Sequence, residues 1–128
     1  MSRLGHQPLS PLDGRYRAVT EALGEYFSEA ALNRARVHVE LEWLITLCKE
    51  GVAGTAPLPA STVNTLRAVV TDFGPEQLAA IATYEATTRH DVKAIEYFVR
   101  DVLSDNDLAA LHELVHFGCT SEDINNVS

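Results

Sequence analysis

The stretch Ser28–Glu50, SEAALNRARVHVELEWLITLCKE, decides the fold class of this chain. Its apolar residues recur at the spacing of an α-helix. One row consists of Val37, Leu41, Leu44 and Cys48, and it is widened by Leu32, Val39, Trp43 and Leu47. Ser28 can cap the first turn and Gly51 can end the last one. Because the apolar face is broad, we predict a long helix that packs on more than one side.

Helical spacing continues on both sides of this stretch, with cap residues and Gly or Pro breaks between the segments. The turn Ser10–Asp13 predicts a short or interrupted helix, since Gly14 follows at once. Helices are then predicted over 60–73 and over 75–87. Three more are predicted: one that follows a Thr88 cap, one from a Ser104 cap to Gly118, and one that follows the Thr120–Asp123 cap pair. No stretch alternates like a strand. We therefore expect an all-α chain with about six helices in a single domain, 1–128.

Composition narrows the function classes. The 128 residues are 46% hydrophobic and carry a net charge of −8, which argues against non-specific nucleic-acid binding through Lys and Arg. No apolar run is long enough to span a bilayer, and the N-terminus has no apolar core of a signal peptide. Cys48 and Cys119 do not form a CxxC pair, so reduced thiols and a cytoplasmic location are expected.

The segment His112–His116, HELVH, matches the zinc-protease pattern HExxH. On a helix both histidines would lie on one face, and Glu113 could activate a water molecule. A catalytic zinc needs a third protein ligand, however, and no histidine follows. We therefore expect no metal site: His112 and Glu113 should face solvent, and His116 should pack near the helix end.

Two other segments resemble each other. Thr88–Asp91 and Thr120–Asp123 each place a cap-like polar sequence at a predicted helix N-terminus, where free N–H groups can bind anions. The pair Arg15–Tyr16 follows a third such turn and adds a guanidinium and a phenol. The alternative is that these are ordinary helix caps, and the spacing alone favours it.

Three blocks of the sequence carry a family resemblance. They are Leu9–Tyr16 (LSPLDGRY), Thr87–Phe98 (TTRHDVKAIEYF) and His116–Asn126 (HFGCTSEDINN). In this order they resemble the adenylosuccinate lyase family of the fumarase/aspartase superfamily. The resemblance implies β-elimination of fumarate from adenylosuccinate and from the succinylated aminoimidazole carboxamide ribotide, in purine biosynthesis. It also implies a cytoplasmic homotetramer without metal or cofactor.

The resemblance carries over seven binding positions. They are Arg15, Tyr16, Arg89, His90, Asp91, Thr120 and Ser121. It implies that the first two bind the nucleotide and that the middle three form a second binding segment, with His90 nearest the chemistry. The last two would contact a carboxylate of the succinyl group.

The resemblance also implies that this chain lacks parts of the family's active site. The family's general-acid histidine and its serine base belong to later sequence blocks, and these blocks do not occur here. The long helices of the family's central bundle are missing from this sequence as well. We therefore expect the N-terminal domain of such a lyase, inactive by itself. Argininosuccinate lyase and a non-catalytic helical interaction module remain the alternatives.

Overall fold

The computed structural model describes residues 7–128, which contain seven α-helices and no strand. The helices are α1 (Arg17–Thr20), α2 (Gly24–Phe27), α3 (Glu29–Lys49), α4 (Ala60–Thr71), α5 (Pro75–Thr88), α6 (Asp91–Asp105) and α7 (Ser121–Val127). Three 3-10 helices lie between them, at Glu21–Leu23, Val52–Gly54 and Ala109–Leu114. The predicted all-α fold is confirmed. Within the described residues, no helix combines the length and apolarity needed to cross a membrane.

The chain divides into two units, Met1–Leu32 and Asn33–Ser128. In the described part of the first unit no residue is buried. Its large apolar side chains are exposed, namely Leu9, Leu12, Val19, Leu23, Tyr26 and Phe27. The turn at Ser10–Asp13 starts no helix; residues 11–16 form turns, and α1, a 3-10 helix and α2 follow as three short segments.

The second unit contains the hydrophobic core. Ser28 caps α3 as predicted, since its hydroxyl oxygen accepts from the Ala31 N–H at 3.1 Å, and the rest of α3 supplies much of the core. Helices α5 and α6 form a helical hairpin joined by two residues. Tyr84 of α5 stacks on Tyr97 of α6 with ring centroids 5.4 Å apart, and its hydroxyl group donates to Asp101. This packing fixes the hairpin and its connecting turn.

The hairpin turn differs from the sequence prediction. Thr88 is the last residue of α5 and not the N-cap of α6. Arg89 ends α5 in the left-handed conformation with φ 50°, and His90 is the N-cap of α6. The left-handed residue lets the chain reverse within two positions, which a sequence pattern of cap residues does not reveal.

The prediction of a helix from Ser104 to Gly118 is wrong. Ser104 lies inside α6, which ends where Asp107 adopts φ 59°. The Leu108 N–H then donates to the Leu103 carbonyl at 2.8 Å, a bond typical of a helix C-terminus. Only the 3-10 helix Ala109–Leu114 follows.

The HELVH segment consequently does not form an α-helical face. Val115 is extended, and His116 is left-handed with φ 62°. Nε2 of His112 lies 3.0 Å from the Ser104 hydroxyl and 2.9 Å from the Arg100 carbonyl, so this histidine does not face solvent as predicted. The i,i+4 spacing therefore does not make His112 and His116 a zinc pair.

Candidate functional site

Arg89 stands at the turn between α5 and α6 in an unusual backbone conformation. Its N–H donates to the Glu85 carbonyl at 2.8 Å and thereby closes α5. A left-handed residue often ends a helix, but it costs free energy when it is not glycine. Its side chain is exposed, and its guanidinium makes no hydrogen bond or ion pair to any residue from 7 to 128. A long cationic side chain is thus held at the turn with all its donors available.

His90 caps α6 with its side chain. Its Nδ1 accepts a hydrogen bond from the Lys93 N–H at 3.1 Å. The neutral imidazole therefore carries its proton on Nε2, which can donate to a ligand. The side chain is 53% exposed, so a ligand can reach it.

Asp91 is the first residue of α6 and connects two elements. Its Oδ1 accepts from the Val92 N–H at 2.9 Å, and its Oδ2 accepts from the Arg36 guanidinium at 2.7 Å. Partial burial raises the pKa of Asp91, but the Val92 N–H and the Arg36 charge outweigh it, and the pKa is lowered overall. Asp91 is therefore an anion that serves the protein's own structure.

Arg36 of α3 lies at the centre of this arrangement and is only 7% exposed. Besides Asp91 it contacts Asn125 of α7, whose Oδ1 accepts from the Arg36 Nε at 3.0 Å. A longer bond of 3.4 Å reaches Asn33 one turn earlier on α3. One guanidinium thus joins the start of α6 to α7, and it brings the two sequence blocks TTRHDVK and TSEDINN together.

The second junction precedes α7, where the predicted cap pair is confirmed. Asp123 Oδ2 accepts from both the N–H and the hydroxyl of Thr120, at 2.7 and 3.0 Å. These bonds lower the pKa of Asp123. Ser121 differs from Thr120, since its hydroxyl has no hydrogen-bond partner within residues 7–128. Ser121 and Asn125 are four residues apart on α7 and share the face that meets Arg36.

The prediction of free N–H groups at these junctions is correct only in part. At α6 the N–H groups of Val92 and Lys93 are already bonded to Asp91 and His90. At α7 the Thr120 N–H is bonded to Asp123. The capping side chains therefore occupy part of the donors that the sequence interpretation left for a ligand. At α7 the N–H groups of Ser121 and Glu122 have no hydrogen-bond partner within residues 7–128, so they remain available beside the side-chain donors.

A second buried polar group lies one turn further along α3. Glu40 is fully buried, and its Oε1 lies 2.5 Å from Nδ1 of His116. Burial raises the pKa of Glu40, and the hydrogen bond to His116 only partly offsets this rise. Nε2 of His116 lies 3.8 Å from Glu96 of α6, which also pairs with Lys93 at 2.9 Å.

The loop before α7 is held on α3 at a further point. The Trp43 indole N–H donates to the Phe117 carbonyl at 2.8 Å. Beside this bond lies an open groove of about 600 Å³ between α3 and the α7 segment, lined by His38, Val39, Glu42, Trp43, Thr46, Gly118, Cys119, Asp123, Ile124 and Val127. None of the seven predicted binding residues lines this groove. Burial and nearby acidic charge raise the pKa of the Cys119 thiol, which disfavours a reactive thiolate.

Arg15 and Tyr16 lie in the first unit. The Arg15 guanidinium carbon is 5.0 Å from the centroid of the Tyr16 ring, and Tyr16 is 48% exposed. The preceding turn is closed by Asp13, whose carboxylate accepts from the Leu9 and Ser10 N–H groups. Both predicted side chains therefore stand on the surface of their own unit.

Sequence reasoning missed Arg36 and Asn125 as parts of the site. A readable signal existed for Arg36, because Asn33, Arg36 and Glu40 recur at i, i+3 and i+7. That spacing places them along one side of a helix, next to the apolar row. Charged residues there are rarely buried unless they are paired. Nothing in the sequence indicated which residues would be their partners.

Comparison with known proteins gives a consistent result. No protein-family model matches the chain. The chain is 44% identical over 122 residues to adenylosuccinate lyase of Escherichia coli and 42% identical to that of Haemophilus influenzae. It is 39% identical over 126 residues to adenylosuccinate lyase of Dictyostelium discoideum. Each match covers 94% of this chain but only 27% of the relative.

These matches confirm the resemblance that the three sequence blocks indicated. They involve bacterial and eukaryotic relatives, and the aligned part is nearly the whole of this chain. The same matches disfavour argininosuccinate lyase and a non-catalytic module. The chain is thus related to the adenylosuccinate lyases along almost all of its length, and it spans about a quarter of the length of those relatives.

Proposed function

We propose that this chain is the N-terminal, substrate-binding part of an adenylosuccinate lyase. The whole protein would eliminate fumarate from adenylosuccinate, giving AMP, and from the succinylated carboxamide ribotide of purine synthesis. It would act in the cytoplasm as a homotetramer, with active sites shared between subunits and no metal or cofactor. The relatives' names and the 94% coverage of this chain support the proposal.

The chemistry explains which side chains such a site needs. In a β-elimination, removal of the proton beside a carboxylate places extra negative charge on that carboxylate. Fixed guanidinium, imidazole and hydroxyl donors stabilise this charge most when they are positioned before the reaction. The general acid and the general base are assigned to no residue of this chain.

One observation carries the assignment of the site. Arg36 bonds to Asp91 of one matched block and to Asn125 of the other, so the two blocks meet at one buried guanidinium. Around this point the turn before α6 offers the Arg89 guanidinium and the His90 Nε2, and α7 offers the Ser121 hydroxyl. We assign these three groups to the succinyl end of the substrate.

The remaining predicted residues take supporting parts in this proposal. Asp91 holds its segment through Arg36, and Thr120 holds its own through Asp123. Arg15 and Tyr16 bind the nucleotide end, as the family resemblance implies. The net charge of −8 argues against a nucleic-acid ligand, and a small anionic substrate is compatible with it because local cations can oppose the overall charge.

The test is a residue-by-residue NMR titration of the isotope-labelled chain with adenylosuccinate. We expect amide shifts at Arg15–Tyr16, Arg89–Asp91 and Thr120–Ser121, and no comparable shifts with argininosuccinate. Shifts confined to other residues, or none at millimolar ligand, would overturn the assignment of these residues.

A pair of variants sharpens the titration. Arg89→Gly removes the guanidinium, while glycine suits the left-handed backbone at this position. We expect the folded chain to persist and the shifts caused by adenylosuccinate to weaken. The matched control is Arg67→Gln, because Arg67 pairs with Glu42 on the exposed surface and belongs to no predicted segment. Equal weakening in both variants would indicate a general effect of charge.

A further inference from the structure

We infer that Arg36 is a positioning residue, which sets the turn before α6 and helix α7 in register for a shared ligand. The inference rests on the proposed function for the identity of that ligand. Neither the relatives' names nor the sequence blocks assign a part to Arg36, which lies outside all three blocks.

The Arg36 side chain bonds to both segments at once. Its Nη2 donates to Asp91 at 2.7 Å, and its Nε donates to Asn125 at 3.0 Å. The planar guanidinium holds these donors in a fixed arrangement, which a lysine ammonium does not. A shift of Asp91 is therefore transmitted to Asn125 through one rigid group.

The partners of Arg36 lie close to proposed ligand donors along the chain. Asp91 follows His90 directly, and Asn125 lies one turn after Ser121 on the same face of α7. The two residues that Arg36 holds thus lie close in the chain to two of the three proposed ligand donors, His90 and Ser121. Arg36 itself is 7% exposed, so a ligand has little access to it. Its effect on binding must be exerted through the neighbours.

Helix α3, which carries Arg36, is suited to positioning both segments. Its side chains also fix the loop that leads to α7, through the bond of Glu40 to His116 and of Trp43 to the Phe117 carbonyl. The helix is 21 residues long, and much of it lies in the core. A site built on such an element is held more precisely than one built on loops alone.

The experiment compares amide spectra of four variants of the 128-residue chain. Arg36→Met removes the hydrogen bonds to Asp91 and to Asn125. Arg36→Lys keeps a positive charge for Asp91 but loses the planar guanidinium that reaches both partners. Asn125→Ala removes only the contact to α7. The control, Leu66→Ala, removes a fully buried side chain of α4 that belongs to neither segment. It therefore reports what core destabilisation alone does.

We expect Arg36→Met to move the amide signals of both 88–91 and 120–125. Arg36→Lys should restore the first set and not the second, and Asn125→Ala should move mainly the second. Leu66→Ala should leave both sets close to their positions in the unchanged chain. Unmoved signals in either segment of Arg36→Met, or equal movement in Leu66→Ala, would overturn the inference.

The same variants are then titrated with adenylosuccinate. Arg36→Met should bind about tenfold more weakly, the size that couplings between neighbouring residues commonly reach, and Leu66→Ala should bind as the unchanged chain does. Equal affinity of Arg36→Met and the unchanged chain would contradict the inference. If the unchanged chain itself does not bind, the assignment of the binding residues within this chain fails while its relationship to the lyases stands, and the amide signals alone decide whether Arg36 positions the segments.

Discussion

The turn before α6 and the turn before α7 look alike in sequence but are built differently. Each has a threonine followed three positions later by an aspartate, Thr88 with Asp91 and Thr120 with Asp123. Asp123 folds back onto its own threonine, whereas Asp91 reaches across to Arg36 of α3. A cap motif therefore tells where a helix can begin, and the tertiary partner decides what its carboxylate does.

The largest expected effect on stability comes from removing Arg36, the partner on α3 that the turn before α6 has and the turn before α7 lacks. Arg36→Met leaves Asp91 and Asn125 without their shared donor. We expect a loss of about 3 kcal/mol in the free energy of unfolding, because a charge-assisted hydrogen bond to Asp91 and a bond to Asn125 are lost together. Urea unfolding followed by circular dichroism measures it. A loss below about 1 kcal/mol would show that the bridge between the turns contributes little.

Asp91→Ala tests the same bridge from its half-exposed end. The buried Arg36 charge loses its carboxylate, and α6 loses the bond to the Val92 N–H. We expect a loss of about 2 kcal/mol in the free energy of unfolding, within the range for hydrogen bonds to charged groups. Asp91→Asn, which keeps an oxygen acceptor, is the control and should lose less. The idea fails if both variants are as stable as the unchanged chain.

Asp123→Ala probes the locally closed turn. It removes the acceptor of the Thr120 N–H and hydroxyl, both on the exposed surface. We expect a smaller loss than for Asp91→Ala, because Asp123 is exposed and its two bonds stay within one helical turn. Glu113→Ala, at an exposed position before α7, serves as the control and should be nearly neutral. A loss equal to that of Asp91→Ala would erase the difference between the two turns.

The smallest effect is a pH dependence. The pKa of Asp91 is lowered in the folded chain, because the Val92 N–H and Arg36 together outweigh partial burial. Its carboxylate therefore stabilises the fold above the ordinary aspartate pKa, and this contribution is lost as the pH falls through the lowered folded value. The stability difference between the unchanged chain and Asp91→Asn should shrink below about pH 4. A difference that does not vary with pH would contradict this cause.

The sequence was informative wherever local chemistry decides the structure. The Ser28 cap and the Thr120–Asp123 pair are local features, and the structure has them as predicted. The apolar row Val37, Leu41, Leu44 and Cys48 is buried as predicted, whereas Leu32 of the predicted second row is exposed. The three matched blocks also led to the correct relatives. Each of these features depends on residues that are close in the chain.

The sequence predictions were wrong or incomplete where the structure depends on residues far apart in the chain or on residues with a left-handed backbone. Left-handed Arg89, Asp107 and His116 end or redirect the chain at positions without glycine, so no breaker signal marks them. The partners of Arg36 lie 55 and 89 residues away in the chain, beyond the reach of any local pattern. The seven predicted binding residues remain a prediction until a ligand is titrated.

The most direct test of the account is a double-mutant cycle on Arg36 and Asp91. The free energies of unfolding of Arg36→Met, Asp91→Ala and the double variant give the coupling between the two side chains, with Thr120→Val and Asp123→Ala as the parallel cycle. We predict a coupling above about 1 kcal/mol for the first pair and a smaller one for the second. A coupling near zero for Arg36 and Asp91 would contradict the claim that α3 holds the two turns together.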